Sequence, residues 1–333
     1  MTQDQVRSVL NMKDTVKIVE ETYRQYGLGQ IKNPPKLGLD LGMSERWPDY
    51  DSFVNSMPAY VGPIDAAGVK IAGEFRKFRK QGTDQGSDLI VLVDPKLGIF
   101  KAVLDGTLIT NFRTGAQAAV GSKFLAKAHP KIATVIGAGV IGRMTLLALD
   151  ALIPLSEYRV FDIREQAGRK CVQEMGPVLS HKVTYSPTLR EALSGADIVV
   201  TATTAKEPFI RKDLVEPGQL IVTLSGSDLY DDVLSAADRI VVDNLKQHLD
   251  HGRFLQSVIE KGIITQEDVS TEITEIAAGK KKGRTNDNEL IIFVTRGMGC
   301  LDVAVAAHVY QRAIDKGLGT RFSFVNYSAD NFV

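Results

Sequence analysis

Residues 131–142, KIATVIGAGVIG, decide the fold. The stretch IATVI is apolar and β-branched, which reads as a short buried strand. Glycines follow at 137, 139 and 142, spaced GxGxxG, and MTLLALDAL (144–152) continues as a helix. The glycine spacing alone is weak, but a strand before it and a helix after it make it a dinucleotide fingerprint. Gly137 permits the tight turn, Gly139 lets the backbone approach a pyrophosphate, and Gly142 lets strand and helix pack closely. The helix N-terminus, opened by Val140 and Ile141, favours the phosphate charge. Twenty residues after Gly142, Asp162 ends the strand YRVFD, where its carboxylate can accept the adenosine ribose hydroxyls. A carboxylate there repels a 2′-phosphate, so NAD is favoured. Arg164 stands two residues on and keeps NADP open.

Reading outward, REQAGRKCVQEM predicts a helix, KVTYS a strand, LREALSGA a helix, and DIVVTATT, GQLIVTLSG and RIVVDN further strands. Strands alternating with helices mean a doubly wound parallel sheet of the Rossmann kind. Thr203 and Ser225, at the ends of two of these strands, are further expected cofactor contacts. Upstream the pattern differs. Residues 3–27 predict a helical opening. Residues 31–63 hold five of the twelve prolines and predict irregular or short-stranded chain. VKIAGEF, DLIVLVD and GIFKAVLD predict strands. This first region is α+β. The alternating region ends near 297, and LDVAVAAHVYQRAIDKGLG predicts an amphipathic tail helix.

At 333 residues the chain favours two domains. A net charge of zero gives no electrostatic case for nucleic acid or an anionic membrane. No apolar run approaches the roughly 20 residues of a membrane span, and MTQDQVRSVL lacks a signal-peptide core. A cytoplasmic location is the expectation. Cys171 and Cys300 sit in no CxxC motif and predict buried inert thiols. No metal site is expected. His248 and His251 could share a helical face, yet such a pair is usually a surface feature. The run KKKGR (280–284) predicts a solvated loop.

Cations at buried-looking positions are the remaining chemical signal. Arg113 heads the small-residue helix TGAQAAVGSKFLA, Lys70 lies in the strand GVKIAG, and Lys36 follows a double proline. A buried guanidinium needs an anion. Three such cations point to an anionic substrate, most simply a carboxylate. Asp228 follows the strand ending LSGSD and could act as an acid or base, or cap a helix.

The order of GVK, LITNFRTGAQAAV, VIGAGVIG, VTLSG, GRTNDNELIIF and the tail helix resembles the ornithine cyclodeaminase/μ-crystallin family over nearly the full length. The resemblance implies that Arg113 and Lys70 bind the substrate carboxylate and neighbouring groups. Lys36 stands where cyclodeaminases carry arginine, keeping the charge and losing the fork. Asp228 matches the catalytic carboxylate, with Asp231 and Asp232 as reserves, and Thr295 meets cofactor or substrate. The implied domains are 1–119 with 300–333, for substrate binding and dimerisation, and 120–299 for NAD. A homodimer is implied.

The family's chemistry includes oxidative cyclisation of ornithine with ammonia release, and net hydride transfer by dehydrogenases and ketimine reductases. Cyclodeaminases carry an acidic residue two before the Met-Pro of NSMPAY, where this chain has Asn55. A neutral amide cannot balance a distal ammonium. The expectation is therefore an NAD(P)-dependent reductase or dehydrogenase acting at the α-carbon of a small amino acid or its imine. An ornithine or lysine cyclodeaminase is the alternative, and a μ-crystallin-type ligand-binding protein is the alternative of another class.

Overall fold

The computed structural model describes residues 1–42, 52–75, 86–224, 228–249 and 254–322. The expected opening helix is two helices, α1 (Gln3–Arg7) and α2 (Met12–Gly27). Asn11 explains the break: its side chain accepts from the Asp14 amide and starts a new helix. Strands β1 (Ile31–Lys32), β2 (Leu37–Asp40), β3 (Ser52–Val61), β4 (Ala66–Phe75), β5 (Ser87–Val93) and β6 (Phe100–Asp105) follow. They form an antiparallel sheet ordered β1-β3-β4-β5-β6, with β2 also on β3. The proline-containing segment thus carries a ten-residue strand. Pro58 falls between the stretches of β3 paired by β1 and by β2, a break where proline is tolerated.

Register sorts the faces. Lys70 lies opposite Met57 and Ile90, and all three are buried. Asn55, two residues before Met57, lies on the same face. The other face presents Leu37, Ile71 and Leu89 in one cross-strand row, each exposed. Helix α3 (Thr107–Leu125) starts six residues earlier than its arginine suggests. Arg113 therefore sits within the helix, not at its head. Gly106 is the N-cap, and the Asp105 carboxylate accepts from the Leu108 amide, setting the start.

The second half contains β7 (Ile132–Ile136), α4 (Val140–Leu152), β8 (Glu157–Phe161), α5 (Glu165–Met175), β9 (Lys182–Tyr185), α6 (Leu189–Leu193), β10 (Ile198–Thr201) and β11 (Leu220–Thr223). Then come α7 (Asp231–Ser235), β12 (Arg239–Val242), α8 (Leu245–His248), α9 (Phe254–Glu260), β13 (Thr271–Glu272), α10 (Ile273–Ala277) and β14 (Ile291–Val294). The sheet order is β13-β12-β14-β11-β10-β7-β8-β9, every pair parallel. The strand direction of succession reverses beside β7, between β8 and β10. Open parallel sheets bind ligands at this switch point.

Helix α11 (Gly299–Asp315) returns to pack on α2 and across β3, β4 and β5. A division at 119/120 would cut α3, which continues to Leu125. The basic run is also more than a solvated loop: Lys280 bonds the Gly27 carbonyl and Arg284 the Leu125 carbonyl, tying it to α2 and α3. Among the described residues, no helix is long and apolar enough to cross a membrane.

Candidate active site

The glycine turn has the shape its sequence requires. Gly137 adopts φ +102°, and a Cβ there would lie 2.4 Å from the Ala202 carbonyl oxygen. Only glycine combines that dihedral with that approach. A Cβ on Gly139 meets nothing within 4 Å, so its backbone borders open space. Gly139 caps α4 without a side-chain acceptor, leaving first-turn N–H groups, those of Val140 and Ile141 among them, for an outside anion. The Asp162 carboxylate accepts from the Ala138 amide at 2.8 Å and the Arg164 amide at 2.8 Å, which fixes it beside the turn. The Arg164 side chain is largely exposed, 3.7 Å from that carboxylate. These residues fit a dinucleotide.

Two of the three sequence-identified cations, Arg113 and Lys70, meet at the face of the antiparallel sheet. Arg113 Nε donates to Asp302 Oδ1 at 2.9 Å, and Lys70 Nζ stands 3.2 Å from the same oxygen. Asp302 is fully buried and comes from α11. Asp88 Oδ2 accepts from the Thr110 hydroxyl and lies 3.9 Å from Lys70 Nζ. Burial first, then the Arg113 charge, lowers the Lys70 pKa, against the pull of both carboxylates. Burial also raises the pKa of Asp88, opposed by Lys70 and Thr110.

Lys36 joins from another direction. Its Nζ donates to the Arg296 carbonyl at 2.9 Å. Burial, then the neighbouring charge of Arg296, lowers its pKa to about 7; Lys70 and Arg113 add to the effect, and Asp243 opposes it. Asn55 lies on the sheet face that carries Lys70, opposite Ala72.

Other expected residues lie around the parallel sheet. Asp228 lies outside helix and strand, as expected, and is wholly buried, with both its oxygens accepting hydroxyls, from Thr201 and Thr203. Thr203 is thereby turned toward Asp228, and its hydroxyl also accepts from the Ala205 amide. Thr295 is buried and donates to the Thr223 carbonyl at 3.1 Å. Ser225 and His251 lie outside the described residues. Asp231 and Asp232 are engaged on α7, with Lys261 Nζ and the Lys212 amide. His248 is not a surface residue: it is buried against Asp243 at 2.9 Å. Among the described residues, no group of His, Cys, Asp and Glu could hold a metal.

Sequence reasoning missed Asp302, Asp88 and Asp243. A signal existed for Asp302, since an aspartate inside the apolar run CLDVAVAA demands a buried partner. Asp88 and Asp243 sit at ordinary strand ends and carry no such mark.

Comparison with known proteins bears on this arrangement. The sequence model described as "Ornithine cyclodeaminase/mu-crystallin family" matches residues 1–317. The alanine dehydrogenase of Archaeoglobus fulgidus is 32% identical over 329 residues, spanning 97% of this chain and 98% of the relative. The structure of Thermococcus litoralis Δ1-pyrroline-2-carboxylate reductase with NADH and L-proline superposes with a TM-score of 0.90 at 29% identity, covering 97% of this chain and 99% of that one. An archaeal alanine dehydrogenase dimer with bound NAD gives a TM-score of 0.88 at 32% identity, with 98% of each chain covered.

Proposed function

Because the chain belongs to the ornithine cyclodeaminase/mu-crystallin family, we propose that its charged cluster holds the carboxylate of a small amino acid or its imine while hydride moves at the α-carbon. The protein is an NAD(P)-dependent oxidoreductase acting on CH–NH2 or C=N bonds, in line with its dehydrogenase and reductase relatives. Its cofactor is NAD, for which Asp162 and the glycine turn provide the seat. NAD supplies or accepts the hydride when bound.

One observation carries the substrate reading. Lys70 and Arg113 converge on Asp302, with Asp88 beside Lys70. Arg113 presents a planar guanidinium that binds one carboxylate oxygen of Asp302 through Nε, and its fork suits a further carboxylate and orients it. Fixing the substrate by that group sets its α-carbon in one place, so orientation supplies much of the rate. Lys70, with its lowered pKa, exchanges a proton more readily than an exposed lysine. Asp228 holds Thr203 at the crevice. Asn55 offers no charge for a distal ammonium, which favours a reductase or dehydrogenase over an ornithine cyclodeaminase.

A homodimer formed through the antiparallel sheet is part of this reading. The exposed row Leu37, Ile71 and Leu89 lies on the face away from Lys70, and exposed apolar rows of this kind mark partner surfaces.

The test is NADH consumption with Δ1-pyrroline-2-carboxylate, and with pyruvate plus ammonia. Turnover of at least one is expected. Arg113→Ala should lower kcat/KM by about a hundredfold or more, the cost of emptying a buried charged partner, with NADH affinity nearly intact. Ammonia release from ornithine at catalytic NAD, with no net NADH consumption, would replace this reading by the cyclodeaminase one.

A further inference from the structure

The reaction above does not call on Asp243, yet the aspartate is built into the same site. It follows β12 and is fully buried. Its Oδ1 accepts from the Asn244 amide at 2.9 Å and lies 2.9 Å from His248 Nε2. Its Oδ2 accepts from Gln117 Nε2 at 3.0 Å, from the Arg296 amide at 2.8 Å and from the Gly297 amide at 2.7 Å. Burial works to raise its pKa, but the bonds from His248 and these amides outweigh it and hold the group ionised. A buried carboxylate with so many donors is costly to assemble and fixes the geometry of whatever donates to it.

The donors to Oδ2 all lead to the substrate cations. Gln117 Oε1 faces Arg113 Nη1 at 3.4 Å. The Arg296 carbonyl receives Lys36 Nζ. Gly297, at φ +79°, lies directly under the guanidinium: a Cβ there would stand 2.8 Å from Nη1 and 3.4 Å from Cζ. The aspartate belongs to the parallel sheet, whereas Arg113 belongs to α3 and Lys36 to the antiparallel half.

We propose that Asp243 is a positioning residue for the substrate carboxylate: it shapes the turn at 296–297 and, through Gln117, sets the Arg113 guanidinium above it. This rests on the reading that Arg113 binds the carboxylate. Asp243 touches no substrate itself. Its effect reaches the site as the placement of two cations, and it ties that placement to the sheet that carries the cofactor turn.

The test uses the full-length protein loaded with NAD and the unreactive probe pyrrole-2-carboxylate, followed by calorimetry. In Asp243→Asn, the amide cannot serve all the donors, and the probe Kd should rise at least about tenfold, while the NAD Kd stays within about twofold. Gln117→Met should raise the probe Kd less, in the same direction. The double variant should lose no more than Asp243→Asn alone, since both changes cut one path. A merely structural role would weaken NAD and probe together, or make the two losses add. Either result overturns the proposal, as does an unchanged probe Kd in folded Asp243→Asn. Hydrogen exchange at the Arg296 and Gly297 amides gives a reading that needs no ligand. Both should exchange faster in Asp243→Asn, and unchanged rates also overturn it. If wild-type protein ignores the probe, the carboxylate reading has failed, and the exchange rates still decide whether Asp243 holds the turn. If Asp243→Asn does not fold, Gln117→Met and its probe Kd decide.

Discussion

Lys36 and Lys70 carry the same side chain into one cluster with different electrostatic supports. Lys70 keeps a carboxylate at 3.2 Å, whereas the partner of Lys36 is a carbonyl. A carbonyl compensates a half-buried ammonium only in part, so partial burial and Arg296 bring the Lys36 pKa to about 7. The sign follows directly. Lys36 is charged below about pH 7 and neutral above it, so its attraction for a carboxylate is complete on the acid side and fades as pH rises. The KM for an anionic substrate should therefore climb as pH passes upward through about 7. In Lys36→Arg the rise should vanish, because a guanidinium does not titrate there. Steady-state kinetics between about pH 6 and 8.5 check this, and a flat wild-type KM across that range would contradict it. A stability effect accompanies it. The unfolded lysine binds its proton up to its ordinary pKa near 10.5, so the folded protein gains stability as pH rises above about 7.

At the scale of elements, the contact between α3 and α4 joins the charged cluster to the cofactor turn. Helix α3 carries Arg113 and Gln117, and α4 begins at the glycine fingerprint. The two approach closely at Gly115, where a Cβ would lie 2.5 Å from the Met144 carbonyl carbon and oxygen. The opposing atoms are backbone and cannot rotate away. Gly115→Val should thus destabilise the protein by about 1–3 kcal/mol through overpacking, despite removing a helix glycine. It should also weaken NADH binding, because pushing α4 aside shifts the N–H groups that face the phosphate. Urea melts and an NADH titration read both effects. Stability equal to or above wild type would show that the helices separate easily and do not set the geometry.

For the whole molecule, the row Leu37, Ile71 and Leu89 raises the question of what covers it. These residues align across β2, β4 and β5, and each is at least 40% exposed, too regular to be scattered surface apolarity. A second copy meeting the same row would bury it symmetrically. Ile71→Lys places a charge at the centre of that contact. Sedimentation should show the wild type as a dimer and the variant shifted toward monomer, with the fold intact by circular dichroism. A wild-type monomer, or a variant that still dimerises at low micromolar concentration, would assign the row to something else.

The sequence by itself determined the parallel half and the chemistry of its ligand. Strand, glycine turn, helix and acid are local in the chain, and each is dictated by backbone geometry that neighbouring residues impose. It likewise marked Arg113, Lys70 and Lys36, since isolated cations in apolar surroundings stand out. The two-helix opening turned on Asn11, a cap that a search for apolar periodicity passes over. The helix start at Thr107 was masked by the more conspicuous arginine. Only the tertiary structure decided what those cations face. Asp302 is 189 residues from Arg113 in the chain, and Asp243 is 126 residues from Gln117. Contacts at such separations depend on how α3, α11 and β12 pack, and no local pattern encodes them. The burial of Asp228 under Thr201 and Thr203 has the same origin, because its surroundings are set by the adjacent strand β10 and not by its own loop.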